Sequence, residues 1–293
     1  ISVYRSAVGK APRGVFRFTR PDDLSAAVIK KLLQENPNLD VNLIEDVIVG
    51  NATPEAEQGL NVGRLISLMG LDIEQVPGMT VNRYCSSGLE TIAIASAKIH
   101  SGMADCIIAG GVETMSPIPF GGWRIVPNAK VAKKHPTWYW GMGLTAENLV
   151  DKYDISREDQ DLFAYRSQMK AANARETGRL AREIAPVAIP RRKQDSLIFD
   201  EDEFIKPKTT TEILAKLRPA FRKTGTVTAG NSSGLNDGAG AVLIASESAL
   251  KVHDLRPLAR IVASGVVGVE PRIMGIGPVG ASRLALKRAG LSL

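Results

Sequence analysis

Cysteine is scarce: the 293 residues hold two, Cys85 and Cys106. Two thiols so placed make neither a disulfide framework nor a metal-binding pattern, so a reducing interior is the expected compartment and the cytoplasm the default location. Histidine is equally sparse, with His100, His135 and His253 alone. Aromatic residues make up 5% of the chain and are not interleaved with the scattered basic residues, so the formal net charge of +6 does not read as a nucleic-acid surface. A mild positive excess suits an anionic small molecule instead. No apolar run approaches the roughly 20 residues that a membrane-spanning helix needs. The opening Ile1-Ser2-Val3-Tyr4-Arg5 lacks signal-peptide architecture. Because the chain starts at Ile rather than Met, it is expected to have lost leading residues, and a removed targeting segment stays open.

What is present is a hydrophobic content of 44%, rich in small and β-branched residues, in a length that suits two domains and a substantial core. Ile1–Arg5 reads as a strand and is followed by a Gly/Pro loop. Pro21-Asp22-Asp23-Leu24 opens a helix running to about Glu35, with acidic residues in its first turn and an apolar stripe at Leu24, Ala27, Val28 and Leu32. Asp46–Gly50 is a short apolar run that fits a strand covered on both faces. Asn61–Met69 is a second amphipathic helix, and Met79–Asn82 and Ala104–Ala109 are further strands. Such alternation calls for a mixed or parallel sheet with helices on both faces, an α/β class. From Pro117 the pattern changes to a long insertion with its own helices, predicted at Thr145–Tyr153 and Ser156–Glu176; the second is opened by the capping pattern Ser156-Arg157-Glu158-Asp159. The insertion also holds the basic stretch 130–135, the aromatic run Trp138-Tyr139-Trp140 and the acidic turn Asp200-Glu201-Asp202-Glu203. Thr226–Ser246 returns to the core as two strands about a Gly/Asn/Ser turn, Leu258–Val267 reads as a strand opening a second half, and Gly280–Ala289 reads as a helix.

The chemistry centres on the stretch from Thr80 to Ile99, where a polar, turn-prone segment carries Cys85 into a run of small and apolar residues that reads as a helix buried on nearly all sides. Unpaired first-turn amides and the positive end of the helix dipole favour an anion, so a thiol in such a place is suited to act as a nucleophile. The plainer alternative is an inert buried cysteine. Cys106, in the middle of an apolar strand, fits that alternative. Gly88 reads as a site of close helix packing.

The segment Asn82-Arg83-Tyr84-Cys85-Ser86-Ser87-Gly88-Leu89-Glu90-Thr91-Ile92-Ala93-Ile94-Ala95 resembles the nucleophile motif of the thiolases. Further blocks match in the same order. They are Ala109–Ser116, Gly141–Asn148, Leu217–Phe221, Gly225–Ala239 and Met274–Pro278, and together they span nearly the whole chain. The resemblance implies a layered α-β-α-β-α thiolase fold of two similar βαβαβ halves, the second only begun here, with the cysteine helix between the sheets. It implies residues 1–116 and 234–256 as the N-terminal core half, 117–233 as a loop domain that covers coenzyme A and makes oligomer contacts, and 257–293 as the start of the other half. Cys85 then matches the acyl-accepting nucleophile, Met142 a methionine of the acyl pocket, Phe221 an aromatic along the pantetheine arm, Ser233 a serine contacting that arm, and Ala229 its neighbour.

The implied activity is thiolytic cleavage of a 3-ketoacyl-CoA to acetyl-CoA and a shortened acyl-CoA, as in fatty-acid β-oxidation. Coenzyme A is the co-substrate, with no permanently bound cofactor and no metal, and the protein is expected to act as a homodimer or homotetramer. An acetoacetyl-CoA thiolase and a non-catalytic thiolase-like subunit are the alternatives. A decarboxylating condensing enzyme fits less well, because the glycine-rich and loop-domain blocks match thiolases. Three family features do not occur in these residues: the histidine of a Gly-His-Pro-x-Gly motif, the second cysteine of a Cys-x-Gly-x-Gly motif, and an Asn-Glu-Ala-Phe motif. His135 precedes Pro136 but lacks the glycines, so the base role is not carried onto it. By the family's spacing the Asn-Glu-Ala-Phe motif falls just past Leu293, so an incomplete view of a longer protein is expected, one that is insufficient alone for turnover.

Overall fold

Helices and strands alternate in the order that the apolar spacing implies. A computed structural model describes residues 2–293; Ile1, the first residue of the predicted opening strand, lies outside the described residues. In chain order the strands are β1 (Val3–Ser6), β2 (Gly9–Lys10), β3 (Asp46–Gly50), β4 (Gly78–Val81), β5 (Cys106–Thr114), β6 (Ile184–Ala185), β7 (Val187–Arg191), β8 (Gln194–Phe199) and β9 (Asn236–Ala245). The helices are α1 (Pro21–Gln34), α2 (Val62–Leu71), α3 (Ser87–His100), α4 (Ala129–Lys134), α5 (Met142–Tyr153), α6 (Arg157–Glu176), α7 (Thr211–Ala215), α8 (Glu247–Val252) and α9 (Gly277–Ala289). By compactness the chain divides into two units. The first comprises Ile1–Arg124, Gly178–Phe204 and Leu235–Arg260; the second comprises Ile125–Thr177, Ile205–Gly234 and Ile261–Leu293.

In the first unit the sheet runs β4-β3-β5-β9-β1-β6, with β2 also on β9. β3 pairs in parallel with β4 and β5, whereas β9 is antiparallel to both β5 and β1. The period-2 pattern of the strands divides the core in two. Val47, Val49, Cys106, Ile108, Ala241 and Leu243 face a cluster with residues of α1 and α2, while Ile48, Ile107, Ala109 and Ile244 face a second cluster with Ala95 of α3. Covering β3 on both sides explains why all five of its residues are buried. Each fully buried Val, Leu or Ile contributes about 1.5–3 kcal/mol relative to exposure. Helix α1 begins with Pro21 at its first position, carries Asp22 and Asp23 in its first turn and has Lys31 in its last, the polarity that the helix dipole favours.

One glycine fixes how α3 approaches the sheet. A Cβ on Gly50, at the end of β3, would lie 2.5 Å from the Ser87 carbonyl carbon and 2.6 Å from the Gly88 nitrogen, so only glycine lets the start of α3 rest on this strand.

The span 178–204, read from the sequence as part of the insertion, belongs to the first unit. β6 pairs in parallel with β1, and Arg5 bonds to Glu183 at 2.8 Å and to Asp202 at 2.8 and 3.0 Å. The acidic turn closes on the amino-terminal loop: Asp202 accepts from the Val8 amide at 2.8 Å and Glu203 from the Lys10 amide at 2.6 Å. Phe199 meets Phe16 edge to face, with ring centroids 4.9 Å apart.

In the second unit, Ser156 caps α6 by accepting from the Asp159 amide at 3.0 Å, as the capping pattern predicts. α5 packs on the 3-10 turn Pro271–Ile276, where Asn148 donates to the Arg272 carbonyl at 3.0 Å. Two predicted strands are not formed. Residues 259–270 have no regular secondary structure, because no strand among the described residues pairs with this apolar run. Near Thr226 only an isolated bridge forms, between Thr228 and Pro219.

Candidate active site

Cys85 lies between the end of β4 and the start of α3 and is exposed. The turn that carries it is built from its own neighbours. Asn82 Oδ1 accepts from the Tyr84 amide at 2.8 Å, the local bond by which asparagine stabilises tight turns. Tyr84 has φ +47°, a left-handed conformation that costs a non-glycine residue about 1–3 kcal/mol and that surrounding bonds must enforce. The Ser87 hydroxyl accepts from the Arg83 amide at 2.8 Å and donates to the Tyr84 carbonyl, while the Ser86 and Ser87 amides donate to the Arg83 and Tyr84 carbonyls at 3.1 and 3.0 Å. Arg83 is held by Glu90 of α3 at 2.9 Å. Ser86, at the N-cap, makes no side-chain cap bond, and Cys85 sits at the amino end of α3, where the helix dipole favours an anion.

Two expectations about this helix are corrected. α3 is not buried on nearly all sides: Ser87, Thr91 and Ala95, spaced four apart, are its buried residues, and they form the single stripe that faces the sheet. Leu89, off that stripe, is 71% exposed. Gly88 is not a close-packing glycine either, since a Cβ built there meets nothing within 4 Å; the close approach is made by Gly50.

A buried polar layer supports the turn from the ends of β3 and β5. Glu113 accepts from the Ala52 amide and from Gln58 Nε2, both at 2.8 Å, and Gln58 Oε1 accepts from the Thr114 amide at 2.6 Å. Asn82 Nδ2 donates to the Ala52 carbonyl at 3.1 Å, which ties the Cys85 turn to this layer. Asp237, at the start of β9 and fully buried, accepts from the Ser116 amide at 2.8 Å and from its hydroxyl. Burial raises the Asp237 pKa above its ordinary value and outweighs the bonds from Ser116 and Met115 that pull it down.

Cys106 is 1% exposed and faces the α1–α2 side of the sheet, whereas α3 covers the other side. Burial, reinforced by Glu45 and Asp105, pushes its thiol up to about 12, which suits the inert core cysteine expected of it.

The other four residues singled out by sequence, Met142, Phe221, Ala229 and Ser233, are in the second unit, and all four are exposed. The Phe221 ring packs against Gly143, where a Cβ would come within 2.1 Å of it, so the ring rests at the start of α5. The segment that bears Ala229 and Ser233 is held by buried side chains that sequence reasoning missed. Glu147 accepts from the Thr226 amide at 3.1 Å and the Val227 amide at 3.0 Å. Asp161 accepts from Asn231 Nδ2 at 2.9 Å, and Asn231 Oδ1 accepts from the Thr228 amide at 2.7 Å. Glu147 and Asn231 lie within the family-matching blocks Gly141–Asn148 and Gly225–Ala239, whereas Asp161, in the strongly polar α6, carried no signal. His135 stacks on Trp138, with centroids 4.2 Å apart and an interplanar angle of 7°. A recess of about 410 Å³ in the first unit, lined by Tyr4, Asn36, Arg182 and Arg256 among others, contains none of the five predicted site residues. No helix among the described residues is long and apolar enough to cross a membrane.

Residues 1–248 match the family model described as thiolase, N-terminal domain. The chain is 48% identical over 304 residues to a 3-ketoacyl-CoA thiolase of Bacillus subtilis, covering 100% of this chain and 77% of that protein. It is 44% identical over 299 residues to a 3-oxoadipyl-CoA/3-oxo-5,6-dehydrosuberyl-CoA thiolase of Escherichia coli, covering 96% of this chain and 74% of the other. Among solved structures, the acetyl-CoA acetyltransferase of Bacillus anthracis superposes with a TM-score of 0.88 at 38% identity, covering 100% of this chain and 76% of that one.

Proposed function

We propose, from the premise that this chain belongs to the thiolase family, that it is an acetyl-CoA C-acyltransferase that cleaves 3-ketoacyl-CoA by thiolysis. The observation that carries this reading is the exposed Cys85 on a turn held rigid at the amino end of α3. In the proposed reaction the Cys85 thiolate attacks the 3-keto carbon. The C2–C3 bond then breaks, its electron pair leaves as the enolate of acetyl-CoA, and protonation of C2 releases that product. The acyl group stays on Cys85 as a thioester. The thiolate of a second coenzyme A attacks the acyl carbon and expels the Cys85 thiolate, which gives the shortened acyl-CoA. The positive end of the α3 dipole favours negative charge beside the sulfur. Met142 is assigned to the acyl pocket, and Phe221, Ala229 and Ser233 to the pantetheine arm; their exposure and the packing of Phe221 on Gly143 support that assignment. The histidine and second-cysteine motifs of the family do not occur in these residues, so the chain accounts for the nucleophile and not for the base.

Fatty-acid β-oxidation is the proposed setting, in a cytoplasmic homodimer or homotetramer with coenzyme A as co-substrate and no resident cofactor. The relative that acts, by its name, on 3-oxoadipyl-CoA brings a dicarboxylic acyl group into the range to be tested. The test is release of acetyl-CoA from acetoacetyl-CoA, a longer 3-ketoacyl-CoA and 3-oxoadipyl-CoA, each with coenzyme A. Faster release from the longer 3-ketoacyl-CoA is expected. Preference for acetoacetyl-CoA would favour the acetoacetyl-CoA thiolase, and no release from any of them together with no acyl group on Cys85 a non-catalytic subunit.

A further inference from the structure

The conformation of the residue before Cys85 needs an external cause. Tyr84 is an aromatic residue at φ +47°, a region in which its side chain gains nothing and its backbone is disfavoured. Its amide donates to the side chain of Asn82, at 2.8 Å. The same side chain uses its other end: Nδ2 donates to the Ala52 carbonyl at 3.1 Å. Ala52 in turn is fixed through its own amide to Glu113 at 2.8 Å, and Glu113 is fixed to Gln58. Asn51, one residue earlier, donates to the Val112 carbonyl at 2.8 Å and is buried. A continuous set of bonds therefore runs from the ends of β3 and β5, through Ala52 and Asn82, to the amide of Tyr84.

We infer that Asn82 is a positioning residue for the nucleophile: it fixes Tyr84 in the left-handed turn, and thereby the Cys85 sulfur, relative to the rigid ends of β3 and β5. The inference rests on the reading of Cys85 as the acyl-accepting nucleophile. Asparagine suits both halves of the task because its amide carries an acceptor and two donors on one short side chain. Aspartate keeps an oxygen for the Tyr84 amide and loses the donor to Ala52. Alanine loses both. Neither change removes the Ser87 bonds to Arg83 and Tyr84, so the turn persists, still joined to β4 through Val81, but loses its side-chain tie to Ala52.

The chemistry that distinguishes positioning from simple exposure is the choice of electrophile. A small alkylator such as iodoacetamide needs only an accessible thiol, whereas acylation by acetoacetyl-CoA needs the sulfur aligned on a bound carbonyl, and misplacement by about 1 Å costs on the order of a hundredfold. The experiment measures both rates at Cys85 by peptide mapping for the unaltered chain, Asn82→Ala, Asn82→Asp and Cys85→Ser. For Asn82→Ala we expect acylation slowed about 10- to 100-fold with alkylation changed less than about threefold, and for Asn82→Asp an acylation rate between the two. Label on Cys106, which is buried in the intact fold, reports unfolding and would mark a merely structural effect. Unchanged acylation in Asn82→Ala, an equal fall in both rates, new label on Cys106, or Asn82→Asp no faster than Asn82→Ala would each overturn the inference. Acylation that persists in Cys85→Ser would instead remove the nucleophile assignment, so the two failures are distinguishable.

Discussion

Asp237 is the carboxylate whose burial most clearly opposes its ionisation, and it gives a test at the level of one side chain. Its folded pKa is raised, with burial as the main cause. A raised carboxylate stabilises the fold fully below its unfolded value, near the ordinary 3.8, and that contribution is lost as pH climbs through the folded value. Asp237→Asn removes the titration while keeping an oxygen for Ser116. The melting temperature of the unaltered protein minus that of the variant should therefore decrease as pH rises above about 4. A difference that stays flat or grows with pH contradicts the assignment. Single residues varied in how far the sequence exposed them. Cys85 was singled out by the resemblance of the Asn82–Ala95 segment to the thiolase nucleophile motif, since the thiol before small residues alone left an inert cysteine open, whereas Cys106 was legible as core because it sat inside an apolar strand. The left-handed Tyr84 was not, since tyrosine carries no intrinsic preference for positive φ and the bonds that enforce it come from Asn82 and Ser87. Gly88 was misread for a related reason: which of two facing glycines makes the close approach depends on the path of the neighbouring strand, and here it is Gly50.

Between elements, Glu147 of α5 carries the corresponding role in the second unit. It is 1% exposed, accepts from the Thr226 and Val227 amides, and meets Arg222 at 3.5 Å, so one helix side chain fixes the loop that leads to Ala229 and Ser233. Glu147→Ala leaves these donors without a partner, at about 1–3 kcal/mol for a buried group so orphaned. Denaturant unfolding should show a loss of about 2 kcal/mol or more for Glu147→Ala, against less than about 0.5 kcal/mol for Glu247→Ala on the exposed α8. Equal midpoints for the two variants would remove Glu147 from this role. Elements with a strong internal pattern were readable: β3 is found at its predicted bounds, and α1, α2, α5 and α6 differ from theirs by a few residues at their ends. The segment 259–270 was not, because an apolar alternation specifies a strand only when a partner is present to complete its hydrogen bonds. The span 178–204 was likewise assigned by position in the sequence to the insertion. Pairing of β6 with β1 and the anchoring of Arg5 by Asp202, neither of which leaves a local pattern, join it to the first unit.

Across the whole chain, the proposed parts are divided between the two units: the nucleophile on the β4–α3 turn of the first, and the acyl-pocket and pantetheine residues on α5 and the 219–234 segment of the second. The α/β class followed from the alternation of helices and strands, and family membership from motif blocks spread along the sequence. Acyl-chain preference could not be read the same way, because it depends on the size and polarity of a pocket built by residues distant in sequence. The central claim is that Cys85 accepts the acyl group from the 3-ketoacyl thioester. The most direct measurement is to incubate the protein with acetoacetyl-CoA, quench in acid, and map the acetyl group by peptide mass spectrometry, with Cys85→Ser in parallel. The account predicts an acetyl thioester on the peptide containing Cys85, absent from Cys106 and from the Cys85→Ser protein. An acetyl group carried by another residue, or acetyl-CoA released while Cys85 stays unmodified and its replacement has no effect, would contradict it.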